Sequence, residues 1–190
     1  IWPSGLVQDG DLDAISAPID VLGVNYYTTN VFRAAGEDEA TAGATPHIAA
    51  PDAVQVLRDL PLTAMGWEVH PAGLRGLLTW LHTTYTGPAG AALVITENGA
   101  AFDDHADADG FVDDQDRVDY LRTHLGAVHQ AIGAGAAVRG YLAWSLMDNF
   151  EWSYGYDKRF GVVRVDENLR RIPKASALWF ADVARTGHVD

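Results

Sequence analysis

The stretch Leu93-Val94-Ile95-Thr96-Glu97-Asn98-Gly99 decides how this chain folds. Four apolar or β-branched residues run directly into a carboxylate, a short amide and a glycine. Such a run is typical of a strand buried on both faces, as in a parallel sheet covered by helices. Asn98-Gly99 then ends the strand. Glu97 therefore lies where α/β folds place ligands and catalytic groups, although it could also be merely the first solvated residue after a strand.

Composition indicates a globular protein and excludes several classes of function. The 190 residues, 48% of them hydrophobic, are enough for one domain with a sizeable core. A net charge of −13 argues against a nucleic-acid binder and a binder of anionic membranes. The absence of cysteine excludes disulfides, thiolate nucleophiles and cysteine metal sites. No apolar run approaches the ~20 residues of a membrane span, and the sequence does not open with a signal peptide. We expect a cytoplasmic protein. We also expect no cofactor.

The rest of the chain alternates predicted strands and helices. Apolar stretches predict strands over 19–27 and 138–147, on either side of the Glu97 strand, and residues 28–66 are predicted to form a long loop. Amphipathic spacing and glycine or proline breaks predict the remaining elements, which are helices over 67–86, 118–132 and 174–185 and a hairpin over 160–172. This alternation predicts parallel strands with right-handed crossovers.

The fold predicted from this alternation is part of a (β/α)₈ barrel. Its site would lie at the carboxyl ends of the strands. A complete barrel needs eight strands and ~250 residues, so three strands correspond to its last part rather than to the whole. The chain also begins with Ile1 instead of Met, which predicts a removed leader or a longer polypeptide.

Aromatic and polar residues follow all three strands. Tyr27, after the first strand, has a hydroxyl that could orient a carboxylate. Trp144, Glu151 and Trp152 follow the third strand. Trp rings stack on sugar rings, and a carboxylate accepts hydrogen bonds from vicinal hydroxyls, so this face suggests glycoside chemistry. The alternative is an aromatic core segment. Burying a Glu without a partner is costly, which argues against this alternative.

Four segments carry a resemblance to glycoside hydrolase family 1, the β-glucosidases. They resemble, in the order of the family, its sixth-strand motif, its aglycone-site segment, its nucleophile motif and its eighth-strand signature. In this sequence they occupy residues 22–28, 65–68, 94–99 and 144–161. The resemblance implies that the chain corresponds to about strands six to eight.

The resemblance also implies catalytic roles. Glu97 would be the nucleophile of a retaining mechanism, forming a glycosyl-enzyme, and Tyr27 would hydrogen-bond and tune it. The substrate would be a β-D-glucoside or a related β-glycoside. Glu151 would bind two hydroxyls of the sugar, and its charge would disfavour 6-phosphorylated substrates.

Further substrate-binding residues follow from the same resemblance. Asn25 would lie beside Glu97, and Trp152 would contact a neighbouring hydroxyl. Trp144 would be the platform under the sugar, Phe160 would line its pocket, and Trp67 would flank the leaving group.

One essential group is missing from the sequence. The family's acid/base Glu lies in an Asn-Glu-Pro motif on the fourth strand, and no such motif occurs here. Glu68, Asp103 and Asp148 each have a structural explanation and are not expected to replace it. We therefore predict that the chain needs the N-terminal part of the barrel as its partner, and that residues 1–190 alone are inactive.

Two other functions are compatible with these residues, and one loop has some features of a metal site. The chain could be a non-catalytic carbohydrate-binding or assembly fragment, or part of a different barrel glycosidase family with another stereochemical course. Residues 105–116 partly match the spacing of a Ca²⁺-binding loop, but His105 replaces the first ligand and the flanking helices do not fit. We expect no metal site.

Overall fold

The computed structural model describes residues 5–36 and 52–189. The elements in chain order are helix α1 (Asp11–Ile15), strands β1 (Val21–Asn25), β2 (Val31–Ala34) and β3 (Ala53–Val56), helices α2 (Pro71–Leu81) and α3 (Gly87–Ala89), strand β4 (Ala92–Asn98), helix α4 (Gln115–Gly133), strands β5 (Val138–Ala143), β6 (Val163–Val165) and β7 (Arg171–Pro173), and helix α5 (Ala175–Thr186). No helix of these residues is both long enough and apolar enough to cross a membrane.

The centre of the structure is a parallel sheet with the strand order β1-β4-β5. β4 pairs with β1 on one side and with β5 on the other, and both pairings are parallel. Helices α2 and α4 lie in the two connections between these strands. The predicted alternation of three parallel strands and helices is thereby confirmed. In the described residues β1 and β5 each pair on one side only.

The core lies on one face of β4. Leu93 and Ile95 are fully buried and belong to one cluster with Leu74 and Leu78 of α2. On the other face Val94 is half-buried and Thr96 is exposed. The expectation of burial on both faces was therefore wrong. The residues paired with Val94 on the two neighbouring strands are glycines, Gly23 and Gly140, which have no side chain to cover that face.

Helix α2 begins later and its helical path continues further than predicted. Its first residue is Pro71, whose missing N–H costs nothing in the first turn. A π-helical turn, His82–Thr86, then leads into α3. The predicted stop at Gly87-Pro88 was wrong because Pro88 lies in the first turn of α3, where its fixed φ suits a helix. Gly90, with φ +71°, ends the helical path.

Two other segments differ from the expectations, and a third agrees with them. Residues 28–66 were predicted as loop, but β2 and β3 pair as an antiparallel ribbon, while residues 37–51 lie outside the described part. β5 ends at Ala143, four residues early, and the chain turns through a cis peptide bond between Trp144 and Ser145. β6 and β7 form the predicted hairpin.

His124 is an ionisable side chain at the centre of α4. It is fully buried, and its ring stacks on that of Tyr120 with centroids 3.9 Å apart. Its Nδ1 donates to the Tyr120 carbonyl over 2.7 Å, whereas Nε2 has no hydrogen-bond partner among the described residues. Burial lowers the pKa of His124 to about 4, because the charged imidazolium would lose its hydration.

We expect the free energy of unfolding to decrease as the pH falls from about 6.5 to about 4, because the unfolded chain binds a proton on His124 that the folded chain excludes. The contribution is complete above this window and amounts to about 3 kcal/mol. His124→Phe keeps the ring stacking and should remove this part of the pH dependence in urea unfolding curves. His129→Phe, on the exposed face of the same helix, is the control. Identical pH profiles for wild type and His124→Phe would contradict the assignment.

Candidate active site

A cavity of about 450 Å³ opens at the carboxyl ends of the three parallel strands. It is lined by two carboxylates, six aromatic rings and one thioether, which belong to Tyr27, Met65, Trp67, Glu97, Trp144, Glu151, Trp152, Tyr154 and Phe160. All of the residues predicted for the site are in this list except Asn25. The fold thus brings together groups from the ends of β1, β4 and β5, as expected for a site on an α/β sheet.

Glu97 is oriented by Tyr27. The backbone N–H of Tyr26 donates to the Glu97 carbonyl over 2.9 Å, which places the following residue beside Glu97. The Tyr27 hydroxyl then donates to Glu97 Oε2 over 2.6 Å. Burial, the hydrogen bond and the charge of Glu97 raise the pKa of Tyr27 far above its ordinary value. The hydroxyl therefore keeps its proton and holds one carboxylate oxygen in place.

Asn98 fixes the end of the strand that carries Glu97. Its side chain is fully buried, and Nδ2 donates to the Tyr26 carbonyl over 2.6 Å and to the Tyr120 hydroxyl over 3.1 Å. Its Oδ1 accepts a hydrogen bond from the Tyr141 hydroxyl over 2.5 Å. All of its hydrogen-bonding groups are satisfied, as burial requires. The end of β4 is thus held to β1, α4 and β5 at once.

Gly99 follows at a point where no side chain fits. A Cβ at this position would lie 1.7 Å from the carbonyl oxygen of Trp144. The two segments are further joined by the Trp144 N–H, which donates to the Asn98 carbonyl over 2.8 Å. The glycine after Glu97-Asn98 is therefore required because the backbone of Trp144 passes directly against it.

Glu151 is the second carboxylate of the cavity. It is 8% exposed, and burial together with the charge of Glu97 raises its pKa. Within residues 5–36 and 52–189 no hydrogen bond is donated to its carboxylate, so both oxygens are available to a ligand. Burial of such a group is costly without partners, which indicates that the cavity is built for a ligand with several donors.

Aromatic rings form the walls of the cavity. The ring of Tyr27 packs edge-on against Trp67 and Phe160, at centroid distances of 5.6 and 6.1 Å. Trp67 and Phe160 are themselves 6.2 Å apart. Trp152, in contrast, is 84% exposed. The cavity therefore combines fixed apolar walls with one ring open to solvent.

Two lining residues were missed by sequence reasoning, namely Met65 and Tyr154. They lie in segments brought together by Lys158, whose Nζ donates to the Ala64 carbonyl over 2.7 Å and lies 5.8 Å from the centre of the Tyr154 ring. The only signal available was their position inside the quoted family motifs, next to predicted site residues.

Asn25 lies beside Glu97 in the sheet but outside the cavity. The two residues are partners in the register of β1 and β4. The Asn25 side-chain oxygen, however, accepts a hydrogen bond from the Thr96 hydroxyl over 2.6 Å. Its predicted contact with substrate therefore remains a prediction.

The other carboxylates considered as acid/base groups lie outside the cavity. Glu68 is paired with Arg58, at 2.7 Å between Oε2 and Nη2. Asp103 is exposed, and Asp148 is paired with Arg159 and Lys174. In the described part of the chain, Glu97 and Glu151 are the only carboxylates that line the site, and no group of three or more His, Asp or Glu side chains is arranged to hold a metal ion.

The family profile described as Glycosyl hydrolase family 1 matches residues 4–189. The chain belongs to this family. Membership excludes the alternative of a different glycosidase family. The chain is 46% identical over 183 residues to a bifunctional β-D-glucosidase/β-D-fucosidase of Bifidobacterium breve, covering 93% of this chain and 39% of the relative.

Two further relatives lead to the same family. Thermostable β-glucosidase B of Thermobispora bispora is 48% identical over 177 residues, which cover 92% of this chain and 35% of that protein. The structure of a β-glucosidase from Thermotoga maritima in complex with deoxynojirimycin is similar with a TM-score of 0.82 and 41% identity, covering 95% of this chain and 38% of that chain. This family 1 chain therefore spans less than two-fifths of the length of these relatives.

We expect Gly99→Ala to destabilise the 190-residue chain by about 3 kcal/mol or more, because the new methyl group forces the end of β4 away from Trp144. Gly76→Ala is the matched control, since Gly76 lies on the exposed side of α2 with nothing within 4 Å of the added Cβ. The control should be neutral or stabilising by about 0.5–1 kcal/mol. Chemical denaturation of both variants measures the difference, and equal stabilities would contradict the close approach.

Proposed function

We propose that this chain forms part of the active site of a retaining β-glycosidase, with Glu97 as the nucleophile. The observation that carries the proposal is the Tyr27–Glu97 hydrogen bond of 2.6 Å, in a cavity that also holds Glu151 and is walled by aromatic rings. A nucleophilic carboxylate must be ionised and aimed at one carbon atom. The Tyr27 hydroxyl keeps its proton and holds one oxygen of the Glu97 carboxylate in place, which supports the aim of the nucleophile.

The proposed reaction has two displacements. In the first, a Glu97 oxygen attacks the anomeric carbon, the bond from that carbon to the leaving oxygen breaks, and a general acid protonates that oxygen. In the second, water attacks the anomeric carbon, gives a proton to the same group acting as base, and releases Glu97. The two carboxyl groups of such enzymes lie ~5–5.5 Å apart. We assign the acid/base group to a part of the barrel outside this chain.

The sugar would be held by the side of the cavity opposite the leaving group. Glu151 has two oxygens free to accept hydrogen bonds from vicinal hydroxyls, with Trp152 at a neighbouring hydroxyl. Trp144 and Phe160 offer apolar faces to the ring, and Trp67 flanks the leaving group. The names of the relatives support β-D-glucosides as substrates. The charge of Glu151 disfavours 6-phosphorylated sugars, since two negative groups would meet in a buried site.

The missing strands are the proposed partner of this chain. We assign its three parallel strands to about strands six to eight of the barrel, a placement supported by the order of the motifs. The open edges of β1 and β5 suit parallel neighbours that would close the sheet. Exposed apolar residues such as Ile19 and Val21 at β1 and Leu142 on β5 would be covered in the process.

The first test compares the chain with a completed barrel. We define the completed barrel as a chimera in which this chain replaces the matched segment of the Thermotoga maritima β-glucosidase. Residues 1–190 alone should show no turnover of an aryl β-glucoside above background, whereas the completed barrel should be active, because only the latter contains the general acid. Robust turnover by residues 1–190 would show that the chain needs no partner.

The second test concerns the role of Glu97. In the completed barrel Glu97→Gly should abolish hydrolysis, and azide should restore turnover of an activated aryl glucoside, because the small anion enters the space of the lost carboxylate. The product should be the α-glucosyl azide, identified by NMR. Glu151→Gln is the control, since it removes the other carboxylate and should not be rescued. Absence of rescue in Glu97→Gly, or rescue in both variants, would count against the assignment.

A non-catalytic carbohydrate-binding role is the second candidate. It is favoured by one observation, namely that the described chain offers only Glu97 and Glu151 to the cavity. In that case deoxynojirimycin, the ligand in the Thermotoga maritima complex, would bind to the completed barrel without any turnover of aryl glucosides. Calorimetry and the activity assay on the same sample separate the two candidates.

A further inference from the structure

A buried cluster of charged side chains lies next to the candidate active site without lining it. It contains three acidic and three basic residues, here called the ion cluster, which are Asp104, Asp114, Arg117, Asp148, Arg159 and Lys174. Most of these side chains are almost inaccessible to solvent, and Lys174 is completely so. The charges balance, as burial of ionised groups requires.

Lys174 connects the loop that follows β4, the strand of Glu97, with the loop that carries Glu151. Its Nζ lies 2.5 Å from Oδ2 of Asp104, in the loop that follows Glu97, and 2.9 Å from Oδ1 of Asp148, three residues before Glu151. Lys174 itself is held at the start of α5, where its N–H donates to the Val162 carbonyl over 3.0 Å. A single ammonium group thus bridges the two loops.

Asp148 extends this connection to residues 148–161, the segment that contains Glu151. Its Oδ1 also accepts the Gly161 N–H over 3.1 Å, and its Oδ2 accepts from Arg159 Nη1 over 3.0 Å. A Cβ on Gly161 would lie 2.1 Å from the Asp148 nitrogen, so these two backbones are in direct contact. Both ends of the segment that contains Glu151 are therefore attached to one carboxylate.

Arg117 holds the other side of the ion cluster. Its Nε donates to the Ala100 carbonyl over 3.2 Å, three residues after Glu97, and its Nη2 donates to Asp104 and to the Arg159 carbonyl. Asp114 accepts from Arg117 and from the Ser176 N–H at the beginning of α5. The loop after β4, the N-terminus of α4 and the N-terminus of α5 are thereby joined in one network.

We infer that Lys174 is a positioning residue for substrate binding, which sets the place of Glu151 relative to Glu97 through Asp148 and Asp104. This inference rests on the proposed function. The Glu151 carboxylate accepts no hydrogen bond from the described residues, so its position depends on the segment that carries it. The ammonium of Lys174 anchors that segment to the loop that follows β4, the strand of Glu97. Misplacement by about 1 Å at a reacting centre costs about 10²-fold in rate.

The test is a double-mutant cycle in the completed barrel. Lys174→Met alone would leave an uncompensated buried charge and endanger folding, so it is combined with Asp104→Asn, which keeps the ion cluster neutral. We expect this pair to lower kcat/KM for an aryl β-glucoside by about tenfold or more and to raise KM. In a Glu151→Gln background the same pair should cost less than about threefold, because the two changes act on one interaction.

The matched control is an ion pair on the surface of the same helix. Asp182→Asn with Arg185→Met removes the same two charges from residues that are 62% and 73% exposed, and should leave kcat/KM unchanged in both backgrounds. Equal losses for the Lys174 pair with Glu151 and with Gln at position 151, or no loss at all, would overturn the inference while leaving the proposed function intact.

A second measurement does not need activity. Hydrogen exchange of the peptide covering residues 145–162 should be faster in the Asp104→Asn, Lys174→Met barrel than in the control, because Asp148 and the Gly161 amide lose their anchor. An inactive wild-type barrel would count against the proposed function. Hydrogen exchange would then test by itself whether Lys174 holds the segment of Glu151 in place. Unchanged exchange of residues 145–162 would overturn the inference.

Discussion

The buried side chain of Asn98 is the constraint on which the site depends. A primary amide without access to water must find partners for its hydrogen-bonding groups inside the protein. Asn98 finds them on β1, on α4 and on β5, so the three strands and the helix cannot shift separately at this end of the sheet. The register of β4 against β5 shifts between Ile95 and Asn98, and this irregularity interrupts the alternation of side chains along the strand. Asn98 is therefore buried, while the adjacent Glu97 lines the cavity.

Two carboxylates of like charge then share a cavity whose walls are largely aromatic. The structure treats the two carboxylates differently. Glu97 receives a hydrogen bond from Tyr27. Glu151 has no such donor among the described residues, and burial together with the charge of Glu97 raises its pKa. A ligand rich in hydroxyl groups would give Glu151 the donors that the protein withholds.

The sequence predicted which residues meet in the cavity better than it predicted the segments around the cavity. Glu97 and Tyr27 could be recognised because they directly follow apolar strands, which are local signals. The β2–β3 ribbon could not, since short strands pair across a long intervening segment and their own propensity is weak. Met65 and Tyr154 depend on how two loops meet, and loop geometry is not visible in a motif. The pairing of Lys174 with Asp104 joins positions 70 residues apart, which no local pattern encodes.

The burial of the ion cluster determines how its ion pairs respond to ionic strength. Surface ion pairs such as Asp182–Arg185 are weakened by salt, since mobile ions screen exposed charges. The screening length is about 8–10 Å at an ionic strength of about 0.1–0.15 M. The ammonium of Lys174 and its two carboxylates are shielded from those ions by the protein itself. The spacing between the loop that follows β4 and the loop of Glu151 is thus maintained by electrostatic attraction that dissolved salt does not screen. This holds although the chain as a whole carries a net charge of −13.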